Sequence, residues 1–165
     1  MSFRDRKGVS ALRDDVAAFA GFLLNLLEEK NGKIRELLAN EKAVLSKLAS
    51  HDRDGAEDLL TENSELIESI DLLNYDMSEN RRSLSAILGV ESSSVDATLA
   101  GDDSNEGKKY KSLLDETNAV LSECIAKADE ITVLLEKELN ETGKSIKDCE
   151  AIRRVKDLTG ISFDS

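Results

Sequence analysis

Apolar residues recur at alternating intervals of three and four over the first fifty positions, the spacing of one buried stripe along an α-helix. The stripe consists of Leu12, Val16, Phe19, Leu23 and Leu26, followed by Ile34, Leu38, Leu45 and Leu48. Asn31-Gly32, a common turn pair, is the weak point between the two halves. Because the apolar face drifts by only about one residue across that pair, we predict one long helix over about 10–50, beginning after Ser10.

The next segment carries the most regular pattern in the chain, a repeat of seven that is typical of a coiled-coil seam. One set of seam positions is Leu59, Leu66, Leu73 and Ile87, and the set between them is Ile70, Met77 and Leu84. Asn63 and Asn80 occupy the remaining seam positions. A buried amide at such a position fixes the register of packing at some cost in stability.

A third seam follows from Tyr110 onwards. Its two sets are Tyr110, Thr117, Cys124 and Ile131, and Leu114, Leu121, Ala128 and Leu135. A free cysteine at a seam position acts as a small apolar filler. This segment is therefore predicted to be a further long helix.

Capping signals set the remaining boundaries. A residue able to cap a helix precedes an acidic residue by three positions at Asp54–Glu57, Asp103–Glu106 and Ser145–Asp148, a pattern similar to the capping box. Gly89, Gly143 and Gly160 are suited to ending helices. These signals predict helices over about 55–88, 104–142 and 145–158, with residues 90–103 as a linker.

Lengths decide the predicted topology. The helix over 55–88 is on the order of 50 Å long, whereas the linker reaches at most ~46 Å when fully extended. An antiparallel return is therefore favoured over a parallel one. We predict a single all-α domain over 1–165, an elongated antiparallel helical bundle or coiled coil of three long helices plus a shorter C-terminal helix.

Composition agrees with this fold class. The chain has no proline, 4% aromatic residues and 34% charged residues, which disfavours sandwiches and barrels. Its 22 basic and 34 acidic residues give a net charge of −12, and residues 51–106, with 3 basic and 15 acidic residues, account for all of it. This charge argues against nucleic acid as a partner. It either keeps a helical surface solvated or steers a basic partner.

Residues for catalysis or metal binding are scarce. His51 is the only histidine and is expected in an exposed turn, and Cys124 and Cys149 lack the spacing of metal ligands. The apolar run over 16–27 is too short to cross a bilayer and is not followed by a signal-peptide cleavage site. We therefore expect a cytoplasmic protein that is not an enzyme, with no metal, cofactor, nucleic-acid or membrane partner.

The C-terminal segment has more apolar residues than one helix face can bury. They recur every three positions, which distributes them around a helix of 3.6 residues per turn. Either the segment is wedged between two surfaces of its own molecule, or part of it awaits a partner. For the second alternative, the predicted partner-binding residues are Ile146, Ile152, Val155, Leu158, Ile161 and Phe163.

Residues 24–89 form two leucine-rich segments joined by a short acidic turn. The second contains Leu59-Leu60, Leu66, Ile70, Leu73, Arg81 and the stop Leu88-Gly89. This sequence pattern resembles that of the FlgN-type flagellar export chaperones, in which the second helix ends in an arginine followed by a Leu-Gly stop. Asn63 stands where that family usually has a lysine.

The resemblance implies a small acidic cytoplasmic chaperone without ATPase activity. Such a chaperone binds hook-filament junction proteins and delivers them to the flagellar type III export apparatus. In the family the C-terminal third holds the cargo-binding region, so an amphipathic terminal helix of the cargo is expected to pack on the six residues named above. A monomer or weak dimer is expected. The alternative is a structural or scaffolding coiled coil whose seams serve self-association.

Overall fold

The computed structural model describes the backbone of residues 3–142 and the side chains of residues 14–141. Every regular element in this part of the chain is helical. The elements are α1 (Phe3–Ala49), α2 (Arg53–Leu88), a 3-10 turn (Ser92–Ser94), α3 (Val95–Ala100) and α4 (Asn105–Thr142). The all-α fold class is confirmed for these residues, and the helix predicted over 145–158 lies outside them.

The described residues fall into two compact units. Unit 1 contains Met1–Lys30 and Leu73–Glu116, and unit 2 contains Asn31–Leu72 and Thr117–Ser165 as far as the chain is described. The boundaries fall inside α1, α2 and α4 rather than in loops. Since residues 143–165 are not described, the single domain predicted over 1–165 stays a prediction.

Helix α1 passes through Asn31 and Gly32 without a break, as predicted, but it begins at Phe3 rather than after Ser10. The earlier start is compatible with the sequence, because residues 3–9 contain no proline and a serine inside a helix costs little. Asn31 is buried and satisfied: its Nδ2 donates to Thr117 Oγ1 at 2.9 Å, and its Oδ1 accepts from Arg35 Nε at 2.9 Å. The Asn31 side chain, part of a pair that often forms turns, is therefore held within the helix by a hydrogen bond to α4.

Unit 2 is built around two apolar clusters in which α1, α2 and α4 all take part. The first contains Ile34, Leu37, Leu38, Ile67, Ile70, Val120 and Cys124. The second contains Val44, Leu48, Ala56, Leu60, Ala128 and Ile131. From the first cluster to the second, residue numbers rise in α1 and α4 and fall in α2. Within unit 2, α2 therefore runs antiparallel to both other helices.

Unit 1 has one apolar cluster, which gathers residues from all four helices. Its buried members are Leu23, Leu27, Met77, Leu84, Val95 and Tyr110. The residues of the predicted linker contribute to it, because Val95 is fully buried and Leu99 and Ala100 pack against the cluster. The prediction of a linker over 90–103 is therefore wrong for residues 92–100, since apolar residues spaced by four form a helix once they have a core to cover.

The buried face of α2 is wider than the predicted seam. Met77, Leu84 and Ile70 are buried as predicted, but Leu59 and Leu66 are half-buried while their neighbours Leu60 and Ile67 are buried. The reason is that α2 packs against α1 and α4 together within unit 2. A helix with two partners buries a broader stripe than the narrow seam of a two-stranded coiled coil.

Two predicted helix caps are displaced, by two residues toward the N-terminus for α2 and by one residue toward the C-terminus for α4. The α2 cap is Asp52, whose Oδ1 accepts the Gly55 N–H at 3.0 Å, and not Asp54. The α4 cap is Ser104, whose Oγ accepts the Gly107 N–H at 3.1 Å, and not Asp103. The Gly55 amide and the Lys47 ammonium lower the pKa of Asp52. In both cases the cap is the residue from which a side-chain oxygen reaches the free amides of the first turn.

Gly89 ends α2 with a left-handed backbone, φ +69, and the Val90 N–H returns to the Ser85 carbonyl at 3.2 Å. Gly89→Ala should lower the free energy of unfolding by about 1–2 kcal/mol, because a Cβ disfavours this conformation. Gly32→Ala is the matched control: a Cβ there also meets no atom within 4 Å, but in a helix interior alanine should add about 1 kcal/mol. Urea denaturation of the two variants should shift in opposite directions, and shifts in the same direction would contradict this account of Gly89.

Candidate partner-binding groove

All six predicted partner-binding residues lie outside the described part of the chain, in the segment after α4. They are Ile146, Ile152, Val155, Leu158, Ile161 and Phe163. The structure therefore does not test whether these residues form one site. Within the described residues, a concave apolar feature lies elsewhere, in unit 1.

This feature is an open groove of about 950 Å³. Helix α1 contributes Val16, Ala17, Ala20, Gly21 and Leu24. The other lining residues are Ile87 and Leu88 of α2, Leu99 of α3, Asp102 and Ser104 of the connection to α4, and Glu106, Gly107 and Tyr110 of α4. Spacings of four within the α1 set place its members on one side of that helix.

The α1 side of the groove has small side chains and is open to solvent. Ala17 and Gly21 are exposed, and Ala20 is partly exposed. A Cβ built on Gly21 meets no atom within 4 Å. Small residues on a helix face allow another backbone to approach closely, so this side of the groove can accept a bulky side chain or a helix.

The charged residues that line the groove, as far as the chain is described, are of one sign. Asp102 and Glu106 are its only charged lining residues, and both are exposed. The part of unit 1 with described side chains, residues 14–30 and 73–116, holds 6 basic and 13 acidic residues. An apolar surface with an acidic border is thereby presented to solvent.

A partly buried polar network includes the groove residue Tyr110, which is 3% exposed. The Tyr110 hydroxyl donates to Asp96 Oδ1 at 2.6 Å, and Arg81 Nε donates to the same oxygen at 3.0 Å. Burial and the Asp96 carboxylate raise the pKa of Tyr110. Burial and the nearby Arg81 lower the pKa of Lys30, which is also buried. Asp96 thus interacts with both Arg81 and Lys30. Through Arg81 and Tyr110 it ties α3 to α2 and α4.

Unit 2 contains a second set of buried polar groups. Glu41 is 1% exposed and Asn63 is fully buried, and Glu41 Oε2 and both amide atoms of Asn63 have no hydrogen-bond partner. Glu41 on α1 and Asn63 on α2 each lie along their helix between the residues of the two clusters. Burial raises the pKa of Glu41 to about 8, so the folded protein holds this side chain mainly protonated at neutral pH.

Cys124 and His51 lie as their sequence positions predict. Cys124 is a free thiol in the first cluster of unit 2, with Sγ 3.4 Å from the Ile34 carbonyl oxygen. Burial raises the pKa of this thiol to about 12, so it stays protonated at neutral pH. His51 is exposed in the turn between α1 and α2, where it adopts φ 60.

Within the described range, no three His, Cys, Asp or Glu side chains are grouped so that they could hold a metal ion. None of the helices described has the length and apolar character needed to cross a lipid bilayer.

Comparison of the chain with protein-family models, with curated proteins and with solved structures finds no significant match in any of the three. The candidate site therefore rests on the residues of this chain alone.

Sequence reasoning missed the groove because its residues are not gathered along the chain. The one available signal was the small-residue run of Ala17, Ala20 and Gly21 beside an apolar stripe. In the sequence this run looks like any alanine-rich helix surface. Only in the fold do α2, α3 and the start of α4 lie beside it and form a groove.

Proposed function

We propose that this chain is a helix-binding chaperone of the FlgN type. It would bind hook-filament junction proteins in the cytoplasm and pass them to the flagellar export apparatus. Its frame would be an elongated antiparallel bundle of three long helices with a shorter C-terminal helix. The activity is binding, without an enzymatic step, metal or cofactor.

The observation that carries the proposal is the excess of apolar residues in the C-terminal segment, whose period of three no single helix face can bury. The open apolar groove of unit 1 gives general support to a binding role. Apolar surface that the described helices leave uncovered is surface available to a partner, and contiguous patches of this kind mark interaction sites. The acidic charge of the chain keeps such a protein soluble while its apolar surface is free. The FlgN-like pattern over residues 24–89 supports the flagellar assignment.

Cargo binding is proposed to use the C-terminal segment, through helix-in-groove packing. Each Ile, Leu or Phe that becomes buried contributes ~1.5–3 kcal/mol, whereas ordering a flexible cargo segment costs ~1–2 kcal/mol per residue. Several anchors must therefore act together. The period-three pattern provides six candidates, from Ile146 to Phe163.

Removal of residues 144–165 should abolish co-purification of a junction protein while leaving the helical circular dichroism per residue nearly unchanged. A full-length variant with Ile152→Glu and Leu158→Glu should have the same effect, because two charges cannot enter an apolar interface without a large desolvation cost. Retained binding in both variants would remove the C-terminal segment from the proposal.

The scaffolding alternative predicts a different solution behaviour. A coiled coil that acts by self-association should melt at a temperature that rises with protein concentration, by mass action. A chaperone awaiting cargo should be monomeric or weakly dimeric. Sedimentation across a concentration series distinguishes the two, and a stable oligomer at low concentration would favour the scaffold.

A further inference from the structure

We infer that the groove of unit 1 is a docking site for an amphipathic helix whose apolar face is flanked by lysine or arginine. The inference goes beyond the proposed function, which places cargo on residues 146–163. It assigns a second binding surface, formed by residues 16–24 and 87–110, and names the chemistry of its partner.

The lining geometry favours a helix. Gly21 and Ala17 leave part of the α1 side of the groove without bulk, and a side chain added at Gly21 would meet open space. Helix α4 begins only at Asn105, and the six-residue α3 is the shortest helix bordering the groove. An incoming helix could lay its apolar face against α1 and reach Leu88 and Leu99, which the unit leaves partly exposed.

The charges favour a basic partner. The lining contains two exposed carboxylates, Asp102 and Glu106, and no described lysine or arginine. Lysine or arginine beside the apolar face of a partner helix would meet these carboxylates, whereas glutamate would be repelled. A second copy of this chain, with a net charge of −12, is disfavoured for the same reason.

The openness of the groove disfavours a small molecule. Pockets for small ligands enclose most of the ligand surface, but here Ala17, Gly21 and Glu106 are exposed to solvent. A helix needs to bury only one face, so an open groove suits it.

The test uses the full-length chain and two labelled synthetic peptides of about six helical turns each. Both carry the same leucine stripe, one flanked by Lys and Arg and the other by Glu. Fluorescence anisotropy should give the basic peptide at least about tenfold higher affinity, with a preference that shrinks as salt is raised. The full-length variant with Asp102→Asn and Glu106→Gln should lose most of that preference.

Gly21→Leu tests the location, because it places a side chain inside the groove on a residue type that favours helix. Binding of the basic peptide should weaken by at least about tenfold, as expected when apolar contacts are blocked sterically. Gly32→Leu is the matched control: it lies on the same helix in unit 2, is exposed, and has equal space for a Cβ. This variant should bind like the parent, and circular dichroism should report both variants folded.

Equal affinity for the two peptides, or undiminished binding by Gly21→Leu, would overturn the inference. A dimer that Gly21→Leu abolishes in sedimentation would assign the groove to a second copy of the chain. Uptake of an uncharged apolar dye that depends on Gly21, without binding of either peptide, would assign it to a small ligand. None of these variants alters residues 144–165, so failure here is distinguishable from failure of the proposed cargo site.

Discussion

Glu41→Gln should differ little from the parent in stability near pH 4 and be clearly more stable by pH 9. The Glu41 carboxyl is 1% exposed, and burial raises its pKa from an ordinary value of 4.5 to about 8. Between these two values the unfolded chain has lost a proton that the folded chain retains, so stability falls as pH rises through that window. The difference between variant and parent should grow by roughly 3–5 kcal/mol from pH 4 to pH 9.

Urea denaturation of both proteins at several pH values measures this difference, in which the titration of other groups largely cancels. Glu36→Gln is the control, because Glu36 is exposed on the same helix and such substitutions change stability by no more than ~0.5 kcal/mol. Parallel stability curves for Glu41→Gln and the parent would mean that Glu41 is not buried as described.

Asp96→Ala should destabilise the protein by about 2–4 kcal/mol, because it leaves Arg81 without its carboxylate and Tyr110 without its acceptor. The Arg81 and Asp96 side chains are 15% and 29% exposed, so water can replace only part of the lost interaction. Lys30 would also lose the one carboxylate that raises its pKa. The effect should be read from the midpoint of urea denaturation.

Two variants locate the source of that effect. Asp103→Ala removes an exposed carboxylate from the connection between α3 and α4 and should cost no more than ~0.5 kcal/mol. Tyr110→Phe removes only the 2.6 Å hydrogen bond and should cost about 1 kcal/mol. Equal stability of Asp96→Ala and Asp103→Ala would contradict a structural role for the Arg81–Asp96–Tyr110 network.

The three long helices could be predicted from the sequence because their apolar spacing is regular over many turns. The four positions Tyr110, Thr117, Cys124 and Ile131 are all buried, as the repeat of seven predicts. The ends were predicted less well, since the capping residue is the one whose oxygen reaches a free amide. Several adjacent polar residues can offer such an oxygen.

The polar residues inside the core could not be predicted. Lys30, Asn31 and Glu41 follow the buried stripe of α1, but charged and amide side chains are ordinarily assigned to the surface. Whether such a residue is tolerated depends on a partner from another helix. Asn31 has one in Thr117, 86 positions away, whereas Glu41 has none for its Oε2 and takes up a proton instead.

By itself the sequence determined the three long helical segments and which side of each is apolar, because both depend on residues within a few turns of one another. Only the tertiary structure decided which polar groups are buried and where apolar surface stays uncovered. Both depend on what lies beside a helix, and that neighbour comes from a distant part of the chain. The groove of unit 1 exists for this reason: α1, α2, α3 and α4 together leave Ala17, Ala20 and Gly21 without a covering helix.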